Sequence, residues 1–575
     1  MTTAGISRSV LAPSIRRTAL RRWPALLMMV VAAVLALALP SGLTIPQSGP
    51  TTLAEYAPVP GAGEGQSDIS DLGQGSSGDL GFGSGTGGTA GDLPPPVTQK
   101  RPRLKRCVGN PPRQTEDPRS PPCVAFFEGN NFGSTMKGVT GDEITIVVHL
   151  GQASSRFPAG FTDWSKPIDG TEDSRDRYGK AYARYFNERY QTYGREVRFF
   201  GYRSPTVSSS PAQKRADVAE IDKAKSPFAL LTWEEPAIPS EEAASRGTFA
   251  ATYSAFLRRT YQRFEPLLIS FAPDLEDQAD NFADYVCTKV AGRTAKHAPD
   301  PRYHSRIREF GILYTEDPST PQYAEMKDEL IKALDRRCGV KIKIVVGKAA
   351  SPDQVSSINQ LRAADITTVI TIANSGTSSN QSQSAGAQQW YPEWLISGVI
   401  ADELGNYHRE SAELHNQVGW SGAFGITFDY RRDEFNKQNW NIAYREACRG
   451  CPDDGGTVLP RFYDTLAMLF YGIQSAGPRL TPANFDKGMH SIPQRGSPDP
   501  YRPAAYFAAD NYSYIKDAME IWWDPTATPP GDTRKGCFRL PNDGRRFRAN
   551  DWTGDDSQVF SEGPCQASQA KPPGT

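Results

Sequence analysis

The sequence predicts an α/β protein in which parallel sheets are flanked by helices. Three observations predict it. Short apolar strands alternate with amphipathic helices over most of the chain, which is the signature of repeated β-α-β units. The chain has 575 residues, more than one hydrophobic core usually holds, so more than one domain is expected. A Gly/Ser-rich stretch separates this body from a basic and then apolar N-terminus, as in an exported chain.

Arg8, Arg16, Arg17, Arg21 and Arg22 precede an apolar run from Ala25 to Leu39. Residues 1–43 therefore read as a signal peptide or an N-terminal membrane anchor. Ala36-Leu37-Ala38 offers a cleavage site, and an uncleaved anchor from Trp23 to Leu43 fits equally. The positive flank keeps the N-terminus inside and places the body outside the cytoplasm, secreted or anchored. No cysteine follows the apolar run closely, which argues against a lipid anchor. Residues 44–106 form a Gly/Ser/Pro-rich linker that buries too little apolar surface to fold. It contains a G-x-G-x-x-G match at Gly83–Gly88, but no strand precedes it and no helix follows, so it is no dinucleotide site. The basic run Lys100–Arg106 reads as the solvated end of the linker, with contact to anionic lipid as the less favoured alternative.

The body follows. Glu143–Leu150 is a buried strand, and the helix after it carries Tyr178, Tyr182, Tyr185, Phe186 and Tyr193 on one face, closing at Gly194. Val197–Tyr202 is the next strand. Ser210-Pro211 opens a helix running through Ile221, serine as cap and proline in the first turn. Strands follow at Phe228–Thr232 and Leu267–Phe271, with another ending at Thr252-Tyr253-Ser254. A second series begins with Phe310–Tyr314, a helix over Pro321–Leu334 and the strand Lys341–Val346. A helix opened by Ser351-Pro352 and the strand Ile366–Ile372 continue it. Ala373–Gln383 reads as a long polar loop unless Asn374 and Ser375 serve a ligand.

Eight cysteines in an exported chain predict disulfides. Proximity suggests Cys107 with Cys123, Cys448 with Cys451 and Cys537 with Cys565, leaving Cys287 with Cys338. A redox or metal role for Cys448-Arg-Gly-Cys451 is disfavoured: no second pair has zinc spacing, and no strand-to-helix turn carries it.

Gly138-Val139-Thr140-Gly141-Asp142-Glu143 followed by Ile-Thr-Ile-Val-Val resembles the opening of Leu/Ile/Val-binding proteins, the type I periplasmic-binding class of ABC importers. Asn187, the turn Gly194-Arg195, Phe310-Gly311-Ile312-Leu313-Tyr314 and the helix Arg461–Gly477 continue the resemblance, which covers roughly Gly138–Asp524. It implies two lobes joined by a multi-strand hinge: lobe one about 138–272 plus a later return, lobe two about 273–422 plus the end. Residues 107–137 and 525–575 fall outside it as a cysteine-containing lead-in and a C-terminal extension. It implies no enzyme, no cofactor and no metal. It implies capture of a small polar solute, an amino acid or similar, with ABC permease subunits as partners. Ligands of such sheets lie beyond the carboxyl ends of the strands.

The expected ligand-binding residues are Thr232, Trp233, Glu234, Thr252, Tyr253 and Ser254 in lobe one, with Asn374, Ser375 and Asp402 in lobe two. The loop Thr232-Trp233-Glu234-Glu235 departs from the family's run of small hydroxyl residues, which weighs against an amino-acid ligand. Trp233 offers a stacking surface or lobe packing, and Glu234 and Glu235 offer counter-charges or a solvated loop. His149 ends the first strand, where a satisfied edge histidine is the commoner reading. His408 and His415 are too far apart for one helical turn.

Lys and Arg number 64 against 65 Asp and Glu, a formal net charge of -1, which points away from nucleic acid. No G-x-S-x-G elbow and no P-loop occurs, so an α/β hydrolase is the weaker alternative. A membrane-tethered sensor or scaffold on the same fold is the stronger one.

Overall fold

The parallel β-α-β units fold into two sheets, as the alternation predicts. The computed structural model describes residues 107–108, 113–114, 123–124 and most of 127–567; within that range 155–156, 206–209, 233–236, 349–353, 399–419, 453–458, 493–502 and 510 lie outside it. The signal or anchor segment and the linker also lie outside the described residues. Among the described residues no helix is long and apolar enough to cross a membrane.

A short hairpin, β1 (Cys107–Val108) and β2 (Arg113–Gln114), comes first. The first sheet has the order β4-β5-β3-β6-β7-β8, from β3 (Glu143–Gln152), β4 (Gly160–Asp163), β5 (Glu196–Ser204), β6 (Ala229–Thr232), β7 (Phe249–Thr252) and β8 (Leu268–Ser270). All pairs are parallel except the edge strand β4, which runs antiparallel to β5. Gly138 enters this sheet at φ 69°, where a Cβ would stand 1.9 Å from the Phe228 amide, so no side chain fits.

The second sheet has the order β10-β9-β11-β12-β13-β14-β15, with β16 also on β14. Its parallel strands are β9 (Phe310–Thr315), β10 (Ile342–Lys348), β11 (Thr368–Ile372), β12 (Glu393–Ile396) and β13 (Ala423–Thr427). β14 (Ala518–Asp524), β15 (Cys537–Arg539) and β16 (Arg546–Phe547) extend it antiparallel. Both sheets are therefore mixed at one edge rather than wholly parallel. The C-terminal extension adds strands to the second sheet instead of standing apart from it.

Helix α1 (Ser174–Arg189) is capped by Asp173, whose carboxylate accepts from the Asp176 amide. It ends earlier than its tyrosine spacing predicts. Gln191 donates its amide to the Gln474 side chain at 2.9 Å, which turns the chain away before Tyr193. Tyr193 packs edge-on against Phe127 instead, and its hydroxyl donates to the Gln474 carbonyl at 2.7 Å. Helix α2 (Pro211–Lys225) begins as predicted, with Ser210 accepting from Gln213. α3 (Ala237–Ser245) and α4 (Arg258–Phe264) complete the first series.

The chain passes between the sheets three times. The first passage leaves β8 and enters α5 (Leu275–Tyr285), which packs on α6 (Gln322–Cys338). The second leaves β13 and returns to the first sheet through α9 (Asn439–Ala447), α10 (Leu459–Ala476) and α11 (Pro482–His490). α9 and α10 pack on α1, with Tyr444 4.0 Å from Tyr178 and Phe470 5.0 Å from Phe186 between ring centres. The third runs beside the first, where Ser513 bridges Ser270 and the Ser270 amide donates to Tyr512 at 2.9 Å, and enters β14. This is the multi-strand hinge the resemblance implies. α7 (Val355–Ala363) and α8 (Ser375–Ala387) cover the second sheet. The polar stretch expected as a loop from Ala373 to Gln383 is thus mostly helix, started by Asn374 accepting from the Thr377 amide at 2.8 Å.

The C-terminal extension grips the hinge. Arg546, fully buried, donates to Asp517 at 2.7 Å in the third passage and to the Phe428 and Asp429 carbonyls at 3.0 and 2.6 Å in the second. Arg432 donates to the Ala567 carbonyl at 2.9 Å. Asn281 on α5 donates to the Phe547 carbonyl at 3.1 Å and accepts from Trp552 at 2.7 Å. Further ion pairs are buried: Lys289 with Glu520 at 2.8 Å, and Arg308 with Glu393 at 2.7 Å and with Asp556 at 2.9 Å.

Disulfides join Cys448 to Cys451 and Cys537 to Cys565, as proximity suggests, and Cys287 to Cys338, the pair left over. Cys123 is also disulfide-bonded, while the side chain of its expected partner, Cys107, lies outside the described residues.

Candidate functional site between the lobes

β6, β7 and β8 end together in the first sheet, and β9, β11, β12 and β13 end together in the second. Residues just past these ends are positioned by the register of the strands beneath them. Thr232 ends β6 with its hydroxyl buried and without a partner among the described residues. Thr252 ends β7 and accepts from the Ser254 amide at 3.0 Å, while the Ser254 carbonyl accepts from Ser270 at 2.7 Å. Those bonds fix the turn that presents Tyr253.

Tyr253 joins the two lobes. Its ring stacks on Phe271 at 5.4 Å, and its hydroxyl donates to Asp429, two residues past β13. The Asp429 amide donates to Thr427 at 3.2 Å, which holds the carboxylate in place. Arg461, at the start of α10, lies 4.7 Å from the centre of the Tyr253 ring and 3.6 Å from the Asp429 carboxylate. Tyr430 donates to Asp464 at 3.0 Å one turn further along α10. Burial and the neighbouring Asp429 charge push the Tyr253 hydroxyl well above its ordinary pKa, so it stays a donor. Burial and the Arg461 cation lower the Arg432 guanidinium to about 9.

On the second lobe Asn374 donates its amide to Thr315 at 3.1 Å, tying the N-terminus of α8 to the end of β9. Ser397 at the end of β12 donates to the Thr371 carbonyl at 2.8 Å on β11. These bonds line the strand ends with uncharged donors and acceptors.

Of the expected ligand residues, Thr252, Tyr253, Ser254 and Asn374 stand at or just past the carboxyl ends of strands, with Thr232 at the end of β6. Trp233, Glu234, Glu235 and Asp402 lie outside the described residues, as does the Ser375 side chain. The sequence reading missed Asp429, Arg461, Tyr430 and Asp464, whose grouping depends on the second passage and on α10. His149 is the satisfied edge histidine: its Nε2 contacts Asp217 at 3.2 Å and its Nδ1 accepts from Gly151. Burial would raise the Asp217 pKa, but bonds from His149, Gln213 and Ser204 outweigh it and hold the carboxyl below its ordinary value. Among the described residues no cluster of His, Cys, Asp or Glu could hold a metal ion.

No described protein family and no curated relative matches the sequence. Solved structures similar to this chain are solute-binding proteins. One, from Rhodopseudomonas palustris BisB5, is an ABC-transporter solute-binding protein in complex with 3,4-dihydroxybenzoic acid. It is 10% identical, with 71% of this chain and 98% of that chain covered and a TM-score of 0.49. A type 1 periplasmic binding protein from Bordetella pertussis Tohama I is 13% identical, covering 69% and 99%, with a TM-score of 0.48. A possible leucine/isoleucine/valine-binding protein from Rhodopirellula baltica SH 1 is 11% identical, covering 66% and 94%, with a TM-score of 0.44. The ligands named are those of the neighbours.

Proposed function

We propose that this protein captures a small polar solute between its two lobes, outside the cytoplasm, and presents it to an ABC permease. The observation that carries the reading is the Tyr253–Asp429–Arg461 group, where a residue at the end of a lobe-one strand meets residues of the second passage. A hinge of three passages lets two α/β lobes rotate about that group. A solute held there is shut away from water on closing, which strengthens each direct hydrogen bond.

Native mass spectrometry of the purified body should find a co-purifying small molecule. Adding that molecule to stripped protein should compact it in small-angle scattering. Binding to one lobe with no compaction would remove the hinge mechanism.

A further inference from the structure

The second lobe carries buried polar side chains that have no partners among the described residues. β11 alternates, with Ile370 and Ile372 on one face and Val369 and Thr371 on the other. Val369 packs in a cluster with Ile358, Leu361, Trp390 and Ala385, the last contributed by α8. Helical spacing puts Thr377 and Gln381 on the same face of α8 as Ala385. Thr371 is 4% exposed, Thr377 and Ser378 1% each and Gln381 0%. Among the described residues, the hydroxyl oxygens of Thr371, Thr377 and Ser378 and both amide atoms of Gln381 have no hydrogen-bond partner.

Leaving such groups unpaired costs their full desolvation, and an apolar side chain in each place would avoid it. Isosteric valine, alanine and leucine would fill these positions, yet the chain keeps hydroxyls and an amide. Neither element carries a charge of its own, and the Glu393 carboxylate that Thr368 meets lies at the opposite end of β11 from Thr371. β11 reads Thr-Val-Ile-Thr-Ile and α8 contains no Asp, Glu, Lys or Arg. The Tyr253 group, where the lobes meet, differs, with Asp429, Arg461 and Arg432 around the ring.

We propose that Thr371, Thr377, Ser378 and Gln381 form a subsite for the uncharged, hydroxyl- or carboxamide-bearing end of the solute, entered at the N-terminus of α8. This rests on the interlobe reading above and names the solute class for its second lobe. A carboxylate or ammonium group at this end would meet no counter-charge on β11 or α8, whereas a neutral polar group would satisfy the five unpaired atoms.

The test uses the whole protein and two probe sets: D-glucose, myo-inositol and acetamide, and charged L-leucine, L-glutamate and putrescine. Thermal melts and calorimetry read binding, and small-angle scattering reads compaction. At least one neutral probe should raise the Tm. Thr377→Val and Gln381→Leu should each weaken its binding roughly tenfold or more, with the unliganded Tm held or raised. Ser378→Ala serves as the milder variant if Gln381→Leu does not fold. A charged probe that binds with compaction and ignores these substitutions overturns the subsite but leaves the interlobe reading standing. Variants that only raise the Tm, with no neutral probe binding, show trapped water and also overturn it. Absence of compaction with every bound probe removes the interlobe reading itself.

Discussion

Tyr253 and Asp429 are hydrogen-bonded across the two sheets, the tyrosine past β7 and the aspartate past β13. A bond to a charged acceptor contributes more than a neutral one, about 1.5–3 kcal/mol net. Tyr253→Phe keeps the ring on Phe271 and removes only this bond. The variant should sample more open lobes, seen as a larger radius of gyration and a stability loss of about 1–2 kcal/mol. An unchanged scattering profile would show that the bond does not hold the lobes.

Arg546 is buried, and its partners Asp517, Phe428 and Asp429 lie in the hinge passages. Arg546→Met leaves Asp517 buried without its cation, and breaking a buried pair costs about 3–5 kcal/mol. A urea titration should show that loss as a lower midpoint. A loss below about 1 kcal/mol would mean that water replaces the guanidinium and that the clasp is loose.

Glu325 on α6 sets a pH dependence. Burial and the nearby Glu241 raise it to about 7, against the pull of Arg259, with Glu276 and Glu329 adding to the rise. The folded protein thus keeps a proton that the unfolded chain gives up near 4.5, so this contribution is full below 4.5 and is lost as pH rises through about 7. Asp277, raised to about 6 by burial and Asp274, acts in the same direction. Glu325→Gln should flatten stability over this window and gain about 1 kcal/mol at pH 8, discounted for the water that reaches the half-buried side chain. A slope unchanged in the variant would assign the dependence to other groups.

The Cys287–Cys338 bridge closes a loop with a sequence separation of 51 and fastens the end of α6 beside α5. Replacing both cysteines with serine should lower stability by about 2–4 kcal/mol, most of it through the unfolded chain. Denaturant melts measure it. Peptide mapping under non-reducing conditions should recover this pair, and a different pairing would contradict the fold around α5.

The strands were legible because β-branched runs such as Ile144–Val148 and Thr368–Ile372 have one buried solution, with the helices between them. α2 announced itself through Ser210-Pro211. α8 did not: it has no apolar stripe, only a cap at Asn374, and its inward face is polar. β15 and β16 are too short to carry a pattern and pair only because β14 is already in place. Of the proposed site, the strand-end positions of Thr252, Tyr253 and Asn374 were readable. Asp429 and Arg461 were not, because their meeting depends on the chain returning to the first lobe, which no local signal reports.

The grip of Arg546, Trp552 and Ala567 on the hinge also fixes an order of events. Both sheets can begin to pair as their strands emerge from synthesis, but the residues that tie the passages together are made last, Arg546 in the final strand and Trp552 and Ala567 beyond it. A nascent chain released short of Arg546 would hold two nearly finished lobes on an untied joint. Competence to bind would then arrive late, as a property of the finished chain rather than of either lobe, and proteolysis of the tail would reverse it.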